Sequence, residues 1–424
     1  MSREPLESST ISGNLPQLTE PFSLAWLLHP VSTTDFIRSY WETAPLVVHR
    51  ETPDHFARLP GLDDVDELIT ATTSGPIRSV DDGLMVRTDS SGTRTDRRFR
   101  MDAGGMPDVQ EAYRAYHDGF SIVLNRVHHR SGVVARLCRA LEVSLHHPVG
   151  ANLYLTPRDS QGFLPHADTH DVFILQLHGV KEWHVANPLN SLPLASKKSG
   201  PLNSFSGFRA FTLRPGDALY LPRGFPHEAV TGSSSSLHLT VGLHVFRWVD
   251  LVSEALALFA DEHTGLRSAL APGFLDAPAD AARLAALADE LARAAISQPL
   301  LMERAKARLG ARVRDAGKAA GSGHFRSIDA IAELTLDSVV VRAHGVLCRA
   351  DSTAEEARVE FAGNYVSGPS FLAPALTFVA GHERFAVGEL PGPLSAEDKI
   401  DLVGRLVSEG LLHCTDNDGD SSAP

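Results

Sequence analysis

A chain of 424 residues, 43% apolar and 21% charged, is too long for one hydrophobic core and too apolar for a disordered or fibrous protein. Its formal charge of −13, from 39 basic and 52 acidic residues, repels a phosphate backbone, so no direct nucleic-acid partner is expected. Cys138, Cys348 and Cys414 are too scattered for a disulfide framework or a paired-cysteine zinc site. No apolar run reaches bilayer-spanning length, and the first twenty residues lack a signal-peptide core, so a cytoplasmic location with no membrane partner is expected.

In chain order, residues 1–20 form a polar leader, and residues 22–28 and 34–40 read as short helices, with Thr33 or Thr34 as cap of the second. Residues 45–48 read as a strand and 133–141 as an amphipathic helix. From residue 150 to about 248 the texture changes to short β runs broken by Gly and Pro, at 172–177, 182–185, 211–213 and 237–243, which is barrel or sandwich composition. Residues 251–321 turn Ala/Leu-rich, with Leu284, Leu287 and Leu291 at helical spacing. A small α+β unit follows, with a strand at 338–342 and a helix within 394–412 that opens on the capping-box pair Ser395 and Asp398. The last residues, from 415, form an acidic tail expected to be disordered.

The chemistry concentrates in the β-rich part. In Pro165-His-Ala-Asp168 a His and an Asp two apart leave the same face of an extended strand, as a chelating pair would. The run from Gly216 through Pro222 and Gly224 to His227 has the spacing G-x5-P-x-G-x2-H, which resembles the second cupin motif and its distal metal-ligating His. Two imidazoles and one carboxylate leave coordination positions open for a co-substrate and dioxygen, the arrangement of non-haem Fe(II) oxygenases. Asp168 in place of a second His separates the pattern from that of storage or isomerase cupins. A hydrogen-bonded surface triad is the bland alternative. Lys181 opens a further strand after a turn at Gly179, and a hairpin of 171–177 with that strand carries its ammonium beside the metal, where it can pair with the far carboxylate of 2-oxoglutarate.

Together, Ala151-Asn-Leu-Tyr-Leu-Thr-Pro157, Gln161-Gly162, His166-Ala-Asp168 and the run from Val172 to Trp183 resemble the JmjC-type ribosomal oxygenases, which hydroxylate ribosomal proteins. The likeness extends from about Phe22 to Leu412, although its sharp motifs lie only between Asn152 and Thr240. It implies an α+β protein built on a double-stranded β-helix, a jelly-roll or cupin barrel of JmjC type at 21–250. A helical dimerisation segment at 251–325 and a winged-helix-like domain at 326–414 would follow. It further implies Fe(II) held by His166, Asp168 and His227 as the catalytic and metal-binding residues, 2-oxoglutarate bound by Lys181 with Asn152 and Thr240 lining its pocket, and dioxygen as the remaining co-substrate. The expected partner is a protein or peptide substrate, a ribosomal protein first, and the expected assembly a homodimer.

Neighbouring residues are read more plainly. His170, His178, His184 and His238 are taken as packing residues, with His170 the one competitor for the metal, and Trp183 and Tyr220 as core aromatics. Arg94, Arg97, Arg98 and Arg100 are taken as a solvated loop. Hydroxylation of a biosynthetic peptide or small molecule, demethylation of a modified protein, and a non-enzymatic metal-binding regulator are the competing functions.

Overall fold

The computed structural model describes residues 22–70, 83–101, 107–188, 190–194, 206–276, 278, 280–297, 299–316 and 323–415; the polar leader and nearly all of the acidic tail lie outside them. The centre of the molecule is a nine-stranded antiparallel sheet. Its strands are β1 (Leu46–Val48), β2 (Gly83–Thr88), β3 (Arg94–Arg98), β4 (Ser121–Leu124), β5 (Val149–Thr156), β6 (Asp171–Val185), β7 (Arg209–Leu213), β8 (Ala218–Leu221) and β9 (His227–Leu243). They are ordered β1-β8-β6-β9-β5-β4-β2-β3, with β7 paired to the second half of β6. This is the expected mixed architecture, a cupin-like β body followed by helical and small α+β parts.

Local chemistry explains most of the boundaries. The helix Thr33–Ser39 starts one residue earlier than expected because Ser32, not a threonine, accepts the Asp35 backbone N–H at 3.0 Å. The predicted amphipathic helix runs Gly132–Leu145 and buries Val134, Leu137, Cys138 and Leu141 against the sheet. Phe36, fully buried, packs edge-on against Tyr220 at 4.8 Å, so the N-terminal helices are part of the sheet's own core. The arginine cluster is not a loop: Arg94–Arg98 forms the edge strand β3, paired with β2 and exposed along its whole length. Charged side chains on such an edge discourage pairing with other chains.

The expected hairpin at Gly179 is instead one bent strand. β6 pairs with β9 along its length, with register irregularities between Gln176 and His178 and between Gly179 and Lys181. A one-residue slip sends every later side chain to the opposite face. Before the bulge Val172 and Ile174 point into the central cavity, and after it Lys181 and Trp183 do. Gly179 makes this possible at φ +65, where a Cβ would lie 1.8 Å from the Ser235 carbonyl oxygen. Gly179→Ala should therefore destabilise the fold by roughly 1–3 kcal/mol through strain and weaken whatever Lys181 binds; urea unfolding with a ligand titration checks both.

Beyond the sheet, the helices Trp248–Glu262, Ala281–Ser297 and Pro299–Ala316 share a small core of Ala255, Leu258, Phe259, Ala294, Leu301 and Ala305. The chain then forms two three-stranded sheets. β10 (Val339–Arg342) lies between β14 (Arg384–Ala386) and β15 (Leu412–Cys414), and β12 (Glu356–Phe361) lies between β11 (Cys348–Ser352) and β13 (Asn364–Pro369). The helix Ala396–Ser408 packs on them, opened by the predicted capping box of Ser395 and Asp398. No helix among the described residues is long and apolar enough to cross a membrane.

Candidate metal centre and co-substrate pocket

Alternation along three strands builds one cavity of about 630 Å³. On β5, Gly150, Asn152, Tyr154 and Thr156 face it while Ala151, Leu153 and Leu155 enter the hydrophobic core. On β9 the far half contributes His238, Thr240 and Gly242, with His244 just past its end and Leu237, Leu239, Val241 and Leu243 behind them. The near end of β9 supplies His227, and the irregular segment ahead of β6 supplies His166, Asp168 and His170.

His166, Asp168 and His227 converge: one ligand atom from each lies within 4.8 Å of the others, and they form the sole such group among the described residues. His166 Nε2 is 4.0 Å from Asp168 Oδ1, and His227 Nε2 is 3.7 Å from Asp168 Oδ2. The two segments are joined by a reciprocal backbone pair, His166 N–H to the His227 carbonyl at 3.0 Å and His227 N–H to the His166 carbonyl at 2.8 Å.

Each imidazole is oriented by its own chain. His166 Nδ1 donates to the Leu164 carbonyl at 2.9 Å and His227 Nδ1 to the Phe225 carbonyl at 3.0 Å. A carbonyl only accepts, so Nδ1 of each ring carries a proton and Nε2 is the atom turned toward the centre. Burial, then the nearby His166, holds His227 down at about 4, which keeps it neutral and able to ligate. Burial raises the Asp168 carboxyl, but His227, His166 and His170 together bring it below its ordinary value. Two imidazole nitrogens turned inward and one carboxylate, held in place by the chain's own hydrogen bonds, fit a divalent first-row metal.

Lys181 lies deeper in the same cavity. It is 5% exposed, its Nζ donates to Thr156 Oγ1 at 2.9 Å, and no ion-pair partner for it occurs among the described residues. Burial brings its ammonium down to about 7. Nearby, Trp183 Nε1 and His238 Nδ1 are buried without a hydrogen-bond partner. A buried cation with one neutral hydrogen-bond partner and the Trp183 ring 5.9 Å away, beside orphaned polar nitrogens, fits an anionic carboxylate.

Asn152 and Thr240 face each other across the β5–β9 ladder and both line the cavity; Asn152 Oδ1 also accepts the Arg126 backbone N–H at 2.8 Å. His170 is brought to the cavity wall, stacked on His244 at 5.1 Å, but its ring does not join the three converging ligand atoms. His238 stacks on Tyr154 at 4.8 Å as a wall of the pocket, and Trp183 also lines it, where sequence alone assigned both to packing. Tyr220 is a core residue, fully buried, as expected. Sequence reasoning missed Thr156, the lysine's partner, and His128 and His244 at the cavity wall. For Thr156 the signal was present, two residues beyond Tyr154 on the face that carries Asn152.

This fold and its His-Asp-His centre define the class. Residues 126–251 match the JmjC domain family, whose cupin-type barrel this β-rich body resembles. It is 32% identical over 256 residues to the bifunctional lysine-specific demethylase and histidyl-hydroxylase NO66 of Aedes aegypti, and 34% identical over 232 residues to the NO66 of Drosophila grimshawi. Those matches cover 57% and 52% of this chain but 39% and 30% of the relatives, so the chain spans well under half their length. Among solved structures, Escherichia coli YcfD covers 91% of this chain and 98% of its own at a TM-score of 0.55 and 18% identity. Another YcfD structure, described as a ribosomal oxygenase in complex with cobalt and 2-oxoglutarate, aligns at a TM-score of 0.54 over 91% of this chain and 99% of its own, also at 18% identity.

Proposed function

We propose that this chain is an Fe(II)- and 2-oxoglutarate-dependent oxygenase that hydroxylates a protein side chain, with a ribosomal protein as the first candidate substrate. The observation that carries the reading is the sharing of one cavity by a pre-oriented His-Asp-His triad and a buried lysine without a counter-charge. The NO66 relatives named as histidyl-hydroxylases and the YcfD structure with cobalt and 2-oxoglutarate support it.

In this reading His166, Asp168 and His227 hold the iron, Lys181 pairs with the far carboxylate of 2-oxoglutarate, and Asn152 and Thr240 line its flank. When bound, iron and 2-oxoglutarate supply the activation of dioxygen that C–H hydroxylation needs. The protein's part is orientation and dryness. Lys181 and Thr156 fix one end of the co-substrate, the triad fixes the other, and Tyr154, Trp183 and His238 keep water from the space between.

Intact masses of ribosomal proteins from cells with and without the gene test the substrate. One protein should carry an added oxygen, and a His166→Ala copy should not restore it. Equal masses in both strains, with co-substrate turnover stimulated instead by a small metabolite or precursor peptide, would sink the ribosomal reading and leave the iron site standing.

Assembly belongs to the same proposal. On the helix Trp248–Glu262, Trp248 is 81% exposed, and Val249, Val252 and Leu256 are also exposed, apolar side chains that the segment's small core leaves uncovered. A homodimer that covers these side chains is expected, in the cytoplasm, where the three free thiols stay reduced. Light scattering at micromolar concentration should return twice the chain mass of 45.7 kDa, and the monomer mass would refute the dimer.

A further inference from the structure

Just beyond the metal centre lies a buried ionic cluster that contributes no ligand. Asp171, fully buried, stands three residues after Asp168 at the start of β6. Its Oδ2 accepts the Tyr220 hydroxyl at 2.6 Å, while its Oδ1 accepts both the Arg223 backbone N–H at 3.1 Å and the Arg223 guanidinium at 3.0 Å. The same guanidinium pairs with Glu42, whose backbone N–H donates to the Tyr220 hydroxyl at 3.0 Å. Glu42 holds a left-handed φ of 55, a strained conformation for a side chain of its size, in order to close this ring of contacts.

Stability alone is a poor reason for such a cluster, because taking a carboxylate and a guanidinium out of water costs about as much as their attraction returns. Its location suggests another. Asp171 is continuous with the segment that carries His166 and Asp168, and Arg223 lies in the turn that carries His227. The Gly224 N–H, one residue after Arg223, donates to the Asp168 carbonyl at 2.9 Å, between the same two segments. The three ligands therefore sit on two pieces of chain joined by the His166–His227 backbone pair at one end and the Asp171–Arg223 pair at the other.

We propose that Asp171 and Arg223 are positioning residues for the metal centre: their buried pair fixes the gap between the His166–Asp168 segment and the His227 turn, so divalent-metal affinity depends on side chains that are not ligands. Tyr220 and Glu42 hold the pair in register. Partners of metal ligands commonly matter in this way, at about 10–100-fold in affinity when lost. The inference rests on the triad being the metal site.

The test titrates the full-length protein with Co(II), followed by its visible absorption, and records melting temperatures of the metal-free variants. Asp171→Asn and Arg223→Lys keep size and should weaken Co(II) binding by about tenfold or more, and Tyr220→Phe, which removes one hydroxyl, should weaken it several-fold. Leu301→Ala, a core truncation in the distant helical segment, serves as the control: it should melt earlier with Co(II) affinity unchanged. If Asp171→Asn does not fold, Tyr220→Phe decides. Folded cluster variants that melt earlier yet bind Co(II) as tightly as the parent would overturn the proposal. His227→Ala separates the two levels: undiminished Co(II) binding there would overturn the metal-site reading itself.

Discussion

His166→Ala, Asp168→Ala and His227→Ala should each reduce 2-oxoglutarate turnover to background while leaving the protein folded. The first half follows from denticity: three donors supply the whole protein contribution to the ion, and removing one undermines a site whose affinity depends on all of them. The second follows from burial and bonding. The backbone pair between His166 and His227 survives an alanine at either position, and each ring's Nδ1 bond satisfies a carbonyl beside a turn rather than one within a ladder. Circular dichroism and a urea midpoint check folding, and consumption of 2-oxoglutarate with and without added Fe(II) checks turnover. Full activity of Asp168→Ala beside an inactive His170→Ala would show that the ligands have been misassigned.

Lys181→Met is expected to act in opposite directions on ligand and fold. A charge-assisted contact in a dry pocket contributes roughly 1.5–3 kcal/mol, so 2-oxoglutarate affinity should fall about tenfold or more in the variant. The metal-free fold should gain stability, because the variant no longer buries a cation that lacks a counter-charge. The sign of the pH dependence follows from burial. With the ammonium brought from 10.5 to about 7, the folded chain binds fewer protons than the unfolded chain between those values. Parent stability therefore rises as pH climbs from 7 toward 10.5 and falls on the way back down, and Lys181→Met should lose this component. The dianion prefers the protonated lysine, so 2-oxoglutarate binding above pH 7 should take up a proton and weaken as pH rises. Calorimetry in two buffers of different ionisation enthalpy measures that uptake, and an unchanged 2-oxoglutarate affinity in Lys181→Met would rule out the role given to Lys181.

The convergence of His166, Asp168 and His227 was legible in the sequence because the three occupy short, rigid spacings: two residues apart in an extended segment, and a Gly/Pro-framed turn ahead of His227. The β texture of 150–248 and the Ser395–Asp398 cap were legible for the same reason, since each is a local pattern. What stayed hidden depends on pairing. A hairpin at Gly179 and a bulge at Gly179 use the same glycine, and only the partner strand β9 decides between them. Thr156 became the partner of Lys181 because β5 and β6 flank β9 in the sheet. The Arg94–Arg98 edge strand was masked by its charge, because a fully exposed strand has no apolar alternation to betray it. The cluster around Asp171 draws on residues 42, 171, 220 and 223, and no sequence window contains them all.

The fixed orientation of His166 and His227 has a consequence for the cell that holds this protein. Three side-chain donors held in place by backbone hydrogen bonds should accept any first-row divalent cation that reaches them, and intrinsic affinity rises from iron toward cobalt, nickel and copper. Occupancy is then set by the relative abundance of free ions during synthesis, so excess zinc or cobalt should silence the protein without unfolding it, and iron starvation should do so sooner than heat.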